Sequence, residues 1–521
     1  MKAKIRETWG SKLGIILAVA GSAVGLGNFL RFPVQAAQNG GGAFMIPYFI
    51  SLFLLGIPLM WVEWTAGRYG GLFGHGTAPG IFHSLWRNRF IKYFGIIGIF
   101  GPFLIFIYYA YIESWLLAYS FFSITESYFP AAQSGELKQF LQGYQGIEKN
   151  NYFHSLVPAY FFFVITFAIN FIIIRKGISK GIEILNKVAL PLLLLFAIIL
   201  VIMIFSLGTP DPKFPDRNVL NGLGYLWNPD FSKLTDAKVW FAAAGQIFFT
   251  LSVGIGVILT YASYLTREDD VTLSALTSVS TNEFAEVILG GSIVIPLAVA
   301  FLGPSVVQEI AKSGAFNLSF VTIPLVFTKI SAGSIFAFLW FMLLFLAGVT
   351  SSISLIQPVV AFIQDEFDIS REKAVNIIGV ITFIFCQPAI FFIGNGVIDE
   401  LDFWAGNFFL ILFATIEIII FAWIFGIDKA WDEIHKGADL QIPKFYRYII
   451  KYVTPTFLLL LLGFWFYQEG LSTLLMKNVP EKNFPYILGT RIAIIVILIV
   501  LAILVKIAWK NKKNAKRVDI I

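Results

Sequence analysis

Long apolar stretches alternate with short polar ones along the whole chain. They fall at about 13–36, 42–66, 94–121, 156–174, 182–207, 238–264, 273–302, 334–363, 374–395, 403–426, 446–467 and 485–509. Each is near or above the ~20 residues that a helix needs to cross a bilayer's hydrocarbon, so the pattern predicts an all-α membrane protein of about twelve transmembrane helices. Basic residues punctuate it unevenly. Lys2, Lys4, Arg6 and Lys12 precede the first stretch, Arg68, Arg87, Arg89 and Lys92 follow the second, and Arg175, Lys176, Lys180 and Lys187 follow the fourth. Lys506, Lys510, Lys512, Lys513, Lys516 and Arg517 close the chain. All lie on one face if both termini are cytoplasmic, the bias expected of a multi-pass protein in a plasma (inner) membrane. The longer loops, 122–155, 208–237 and 303–333, fall on the other face. In the last, short helices are expected at 306–311 and 325–330, with Pro324 in the first turn of the second, making a folded cap.

Two of the stretches are interrupted. Residues 20–31 read Ala-Gly-Ser-Ala-Val-Gly-Leu-Gly-Asn-Phe-Leu-Arg, with Gly21, Gly25 and Gly27 beside Ser22 and Asn28. Glycines make a helix break cheap, and a break frees backbone N–H and C=O groups. Inside a bilayer those groups are tolerable only where they line a protein cavity and meet partners, such as an ion or a polar solute. The competing explanation is a tight helix crossing, which does not require the adjacent Asn28 and Arg31. The sixth stretch repeats the chemistry at Ser252, Gly254 and Gly256. Breaks at the first and sixth spans divide the chain into two blocks of five, the sequence mark of an inverted-repeat transporter. The expected blocks are 13–207 and 238–426, with two peripheral helices in 446–509.

Composition narrows the classes. The chain of 521 residues is 57% hydrophobic and 13% charged, with mean hydropathy +0.78, against about a quarter charged in soluble domains. The net charge of +6 fits anionic lipid rather than nucleic acid as the neighbour. Cys386 stands alone, so no intramolecular disulfide can form. His75, His83, His154 and His435 lack ligand spacing, and neither HExxH nor GxSxG occurs. An enzyme is therefore not expected. A receptor that binds and signals is disfavoured by the short basic tail after residue 509, and the sequence leaves a homodimer open.

Several long motifs in order carry a resemblance to a known family. They are Ala23-Val-Gly-Leu-Gly-Asn-Phe-Leu-Arg-Phe-Pro33, Asn39 to Pro47, Gly56 to Met60 with Glu63, Tyr108 to Trp115, Gln246 to Ser252, Asn282-Glu-Phe-Ala-Glu286 and Ala347 to Ser352. The chain resembles the neurotransmitter:sodium symporter family, and within it the bacterial amino-acid transporters, over nearly its whole length. The resemblance implies the LeuT-like five-plus-five inverted repeat and sodium-coupled uptake of amino acids by alternating access. It also implies two sodium sites, one from Ala23, Asn28, Thr250 and Asn282 with the substrate carboxylate, the other from Gly21, Val24, Ala347, Thr350 and Ser351. Sodium, a hard cation, takes such neutral oxygens.

For the substrate, the N–H groups of Leu26 and Gly27 would meet an α-carboxylate at a helix N-terminus, with Ser22 and Ala23 in the break and Tyr109 as a second donor. Phe249, Thr250 and Ser252 would receive the α-ammonium. Ile105, Phe249, Ile255, Ser351 and Leu355 would surround the side chain, and their apolar character disfavours a charged one. The family pattern has an aromatic at 255, Val at 105, Ile at 355 and Asn at 22, so the preferred amino acid is left open. An amine or osmolyte is the alternative substrate, although position 22 lacks the acidic residue that would point to an amine. Arg31 with Asp402 match an outer gate, with Phe249 and Tyr109 beneath; Arg6 with Asp365 match an inner one, with Trp9 and Tyr264 nearby. Glu286, one turn after Asn282, occupies the place where chloride-dependent relatives carry serine, and is expected to replace chloride.

Overall fold

The computed structural model describes residues 7–307 and 315–518. Among these, ten helices are long and apolar enough to span a membrane, and an eleventh span is the bent pair Lys12–Ala23 and Gly27–Gln38, kinked by 42°. The twelfth is span six, whose halves Ala237–Thr250 and Val257–Ala262 are each too short to qualify alone. In chain order the unbroken spans are Gly42–Gly71 (two), Ile91–Ile124 (three), Val157–Arg175 (four), Ile178–Ser206 (five), Val271–Leu302 (seven), Gly333–Phe367 (eight), Arg371–Phe391 (nine), Val397–Ile434 (ten), Phe445–Gln468 (eleven) and Glu481–Asn511 (twelve). No strand occurs among the described residues, only an isolated bridge between Gly41 and Pro229.

Burial sorts the spans into a centre and a rim. The most apolar stretch of span three is 94% buried and that of span seven 78%, against 22% for span eleven and 28% for span twelve. The last two are therefore peripheral, but span four is as little buried, at 28%, so the rim is wider than the chain's end. Spans three and eight pack along each other's length and form the spine beside which spans one and six are broken. Large apolar side chains such as Phe161, Leu195, Ile384, Leu460 and Ile499 point outward from the rim, which suits lipid as the solvent.

The loops are more ordered than the sequence pattern suggests. Residues 122–155 contain the helices Phe129–Gln133 and Leu137–Tyr144, held by a cluster of aromatic rings from Tyr119, Phe122, Phe140, Tyr144 and Phe153. Such rings, spaced irregularly, leave no simple period to read. The expected helix at 306–311 falls mostly outside the described residues. Its companion is the α-helix Ile323–Phe327, two residues earlier than expected and with Pro324 in its first turn, within the longer apolar run Leu318–Phe327. The preceding turns, Leu318–Thr322, are widened to π winding, a local adjustment that can accommodate a proline within a helix.

One glycine fixes how closely span six can approach span three. Gly256 begins the second half of span six at φ +89°, and a Cβ there would lie 2.4 Å from the Gly98 carbonyl oxygen. Gly256→Ala therefore meets both a backbone penalty and a clash, together about 2 kcal/mol or more. The purified variant should show a clearly lowered apparent melting temperature; an unchanged one would contradict this packing.

Candidate functional site

At the first break, the helix Lys12–Ala23 ends where Val24 turns to ψ 83°, its N–H still donating to the Ala20 carbonyl. The next amide, Gly25 N–H, donates to Asn28 Oδ1 at 2.8 Å and not to Gly21, four residues back. Asn28 N–H in turn donates to Gly25 at 3.3 Å and not to Val24. The carbonyls of Gly21 and Val24 are thereby released from the helical ladder. That of Ser22 is claimed by the hydroxyls of Ser252 and Ser351, at 3.0 and 3.2 Å. The second break runs through Ser252, Gly254 and Gly256, all at positive φ, and Glu63 from span two accepts the Gly254 N–H. Among the other buried carboxylates, Glu113 is held by Asn170, whereas neither oxygen of Glu417 has a hydrogen-bond partner among the described residues.

Where the two breaks meet, neutral oxygens converge. Asn28 Nδ2 lies 2.8 Å from Asn282 Oδ1 and 3.2 Å from Thr250 Oγ1. Asn282 Nδ2 donates to Thr250 Oγ1 at 3.0 Å, and the other end of the Asn282 amide lies 3.2 Å from the Ala23 carbonyl and 3.3 Å from that of Thr250. Ala23, Asn28, Thr250 and Asn282 are thus gathered in one buried cluster. Amide, hydroxyl and carbonyl oxygens suit an alkali cation; no group of three or more His, Cys, Asp or Glu among the described residues could hold a transition metal. A second grouping lies between spans one and eight. Thr350 Oγ1 lies 3.1 Å from both the Leu346 and the Ala347 carbonyl, and its Cβ would lie 3.5 Å from a Cβ built on Gly21.

Glu286 stands directly behind the first cluster. It accepts from the hydroxyl of Thr250, from Gln246 Nε2 at 3.0 Å and from Tyr48 Oη at 2.8 Å. Tyr48 Oη is also 2.8 Å from Glu283 Oε2. One hydroxyl thus bridges the two carboxylates of span seven. Tyr48, Gln246 and Glu283 were not nominated from sequence; Glu283 precedes Glu286 by three residues, the only hint available.

All twelve nominated substrate residues line one central cavity of about 40 Å³: Ser22, Ala23, Leu26, Gly27, Ile105, Tyr109, Phe249, Thr250, Ser252, Ile255, Ser351 and Leu355. Gly25, Asn28, Ser354, Gly406 and Leu410 complete the wall. Ser354 bonds Ser22 at 2.6 Å and could have been found, since it follows Ser351 by one turn; span ten's contribution carried no signal. The Tyr109 hydroxyl meets Leu26 N–H and Ser351. Above lies a second cavity of about 250 Å³ that shares Leu26, Gly27, Tyr109 and Phe249 with the first. Phe249 and Tyr109 are therefore the partition between them.

The gates differ from expectation. Arg31 and Asp402 both line the upper cavity but form no ion pair. The guanidinium lies over the Phe249 ring, 4.4 Å from its centroid, and Asp402 accepts from Tyr108 at 2.6 Å. Each charge has found a separate partner, and closing the pair would exchange these contacts. On the face bearing the N-terminus, Arg6 lies outside the described residues, so its pairing with Asp365 in span eight is not described. Trp9 donates to the Tyr261 carbonyl at 3.0 Å, and not to Tyr264, which instead accepts from Gln357 at 3.0 Å. The latch unforeseen from sequence is Arg371, which reaches Glu7 at 3.2 Å, Gln357 at 2.9 Å and the Ile174 carbonyl at 2.7 Å.

Comparison with known proteins decides the family. The model of the sodium:neurotransmitter symporter family matches residues 6–139 and 137–512. The chain belongs to that family. An uncharacterised sodium-dependent transporter of Methanocaldococcus jannaschii is 33% identical over 459 residues, covering 87% of this chain and 89% of the relative. A sodium- and chloride-dependent glycine transporter 2 of Xenopus laevis is 26% identical over 528 residues, covering 89% of this chain and 65% of that protein. The crystal structure of MhsT in complex with L-phenylalanine superposes with a TM-score of 0.72 at 31% identity, covering 88% of this chain and 99% of that one. The symporter is accordingly a LeuT-fold, sodium-dependent membrane transporter and not an enzyme.

The buried cluster makes one residue decisive. Thr250→Val removes an oxygen shared by Asn28, Asn282 and Glu286 while keeping the side chain's shape. Sodium-dependent binding of labelled substrate should vanish in a variant that still purifies as a monodisperse species. Binding at the unmodified level would show that sodium sits elsewhere.

Proposed function

We propose that this symporter takes up apolar L-amino acids together with two sodium ions, by alternating access and without chloride. The observation that carries the reading is the central cavity, polar at the helix breaks and apolar at Ile105, Phe249, Ile255, Leu355 and Leu410. A zwitterion needs both halves. Its carboxylate would meet Leu26 and Gly27 N–H and the Tyr109 hydroxyl, at the N-terminal end of the helix Gly27–Gln38, and would complete the oxygen shell of the first sodium. Its ammonium would meet the carbonyls of Phe249 and Thr250 and the Ser252 hydroxyl. MhsT, a relative of the same fold, is seen with L-phenylalanine, which supports an apolar side chain.

At about 40 Å³ the cavity has room for a few waters and not for an amino acid, since one water needs about 10–15 Å³ on this measure. Entry from the larger upper cavity requires Phe249 to move, and Arg31 stacked on that ring must move with it. Substrate binding is thereby tied to rearrangement of the gate charges. Both termini are placed in the cytoplasm of a cell whose inner membrane the chain spans, with repeats over 13–207 and 238–426. Sodium entering at a negative-inside potential gains about 2.3 kcal/mol per charge per 100 mV, enough to drive accumulation.

Ile255 takes the position of a larger ring in the family pattern, which leaves volume for a large side chain, branched or aromatic. Ile255→Phe should shift preference toward smaller amino acids by about tenfold, since a methylene in such a pocket is worth roughly 1–3 kcal/mol. Competition against a labelled substrate measures this, and lysine or glutamate competing as well as leucine would refute the apolar pocket. For chloride, the Glu286 carboxylate, which accepts from Thr250 of the first cluster, offsets part of the charge of the adjacent sodium in a low-dielectric site. Uptake should persist in chloride-free buffer. Glu286→Ser should lose it there and regain part of it on adding chloride; a variant indifferent to chloride would leave Glu286 a structural role only.

A further inference from the structure

We infer that the side-chain oxygen of Asn186, on span five, is an additional ligand for the sodium ion of the second site. This rests on the two-sodium reading above and adds a residue that the sequence resemblance does not supply. Asn186 is 1% exposed, and its Oδ1 has no hydrogen-bond partner among the described residues. Its Nδ2 donates to the Ile182 carbonyl at 2.8 Å, so the amide cannot turn round without losing that bond. The free oxygen therefore stays directed away from span five and against Gly21. A Cβ built on Gly21 would lie 2.0 Å from Asn186 Oδ1 and 3.5 Å from Thr350 Cβ. The bare oxygen thus shares one small space with two of the residues placed around the second sodium.

A buried amide oxygen without a donor is destabilising. The bond to Ile182 explains the nitrogen but not the oxygen, and no N–H of the described residues is offered to it. A cation beside the freed Gly21 carbonyl would supply what the oxygen lacks, and a neutral hard donor is what sodium accepts. The glycine at position 21 fits this account, because any side chain there would push Oδ1 out of reach. The consequence reaches the N-terminal face. One turn before Asn186, Glu183 accepts from Gly10 N–H and Ser11 Oγ at 2.7 and 2.9 Å. Sodium bound through Asn186 would hold span five to span one at a second level, so loss of the ion would loosen both.

The test uses the purified full-length protein without substrate, so that only the site independent of the substrate carboxylate is read. Sodium-dependent thermal stabilisation and binding of radioactive sodium are titrated for the unmodified protein and for Asn186→Leu, Asn186→Ala, Asn186→Asp and Thr350→Val. Asn186→Leu and Asn186→Ala should raise the half-saturating sodium concentration about tenfold, the loss of one ion–dipole contact. Asn186→Asp should lower it, since a carboxylate beside the cation strengthens the site; a purely packing role predicts no such opposite shift. If Thr350→Val weakens sodium binding but the Asn186 variants leave it unchanged, or all shift alike, the assignment to Asn186 is wrong and the second site stands. If Thr350→Val also has no effect, the second-site reading fails with it.

Discussion

A carbonyl or amide group freed inside a bilayer needs a partner, and an unsatisfied one costs several kcal/mol. The rest of this structure depends on how the two helix breaks meet that demand. Asn28 folds back onto Gly25 N–H and thereby detaches Gly21 and Val24 from the ladder. Glu63 holds Gly254, and the hydroxyls of Ser252 and Ser351 share the Ser22 carbonyl. The chain thus satisfies the groups that keep the breaks open and leaves oxygens converging at two places. Oxygens left in this way are satisfied by a positive charge.

Charge follows the same economy away from the breaks. Behind the first oxygen cluster, Glu286 and Glu283 share Tyr48. At the upper cavity, Arg31 rests on Phe249 and Asp402 on Tyr108, while on the N-terminal face Arg371 joins Glu7, Gln357 and the end of span four. One face is therefore latched by an ion pair and the other is not.

Much of this was legible in the chain. The apolar stretches give the spans, the glycine runs at 21–27 and 252–256 give the breaks, and the long motifs place all twelve pocket residues that the structure gathers. What escaped were contacts between spans distant in sequence. Nothing near Asp402 announces Tyr108 as its partner, nothing near Glu7 announces Arg371, and Asn186, between Glu183 and Lys187, reads as part of the charged end of span five. The ordered loop at 122–155 was hidden because aromatic packing there has no period.

The central claim is that sodium and an apolar amino acid move together through the site made by the two breaks. The most direct measurement is uptake of labelled leucine or phenylalanine into proteoliposomes holding the purified protein, under an inward sodium gradient and a negative-inside potential. The account predicts accumulation above the external concentration, abolished when potassium replaces sodium and enhanced by the potential. Equal uptake with and without sodium, or equilibration without accumulation, would contradict it.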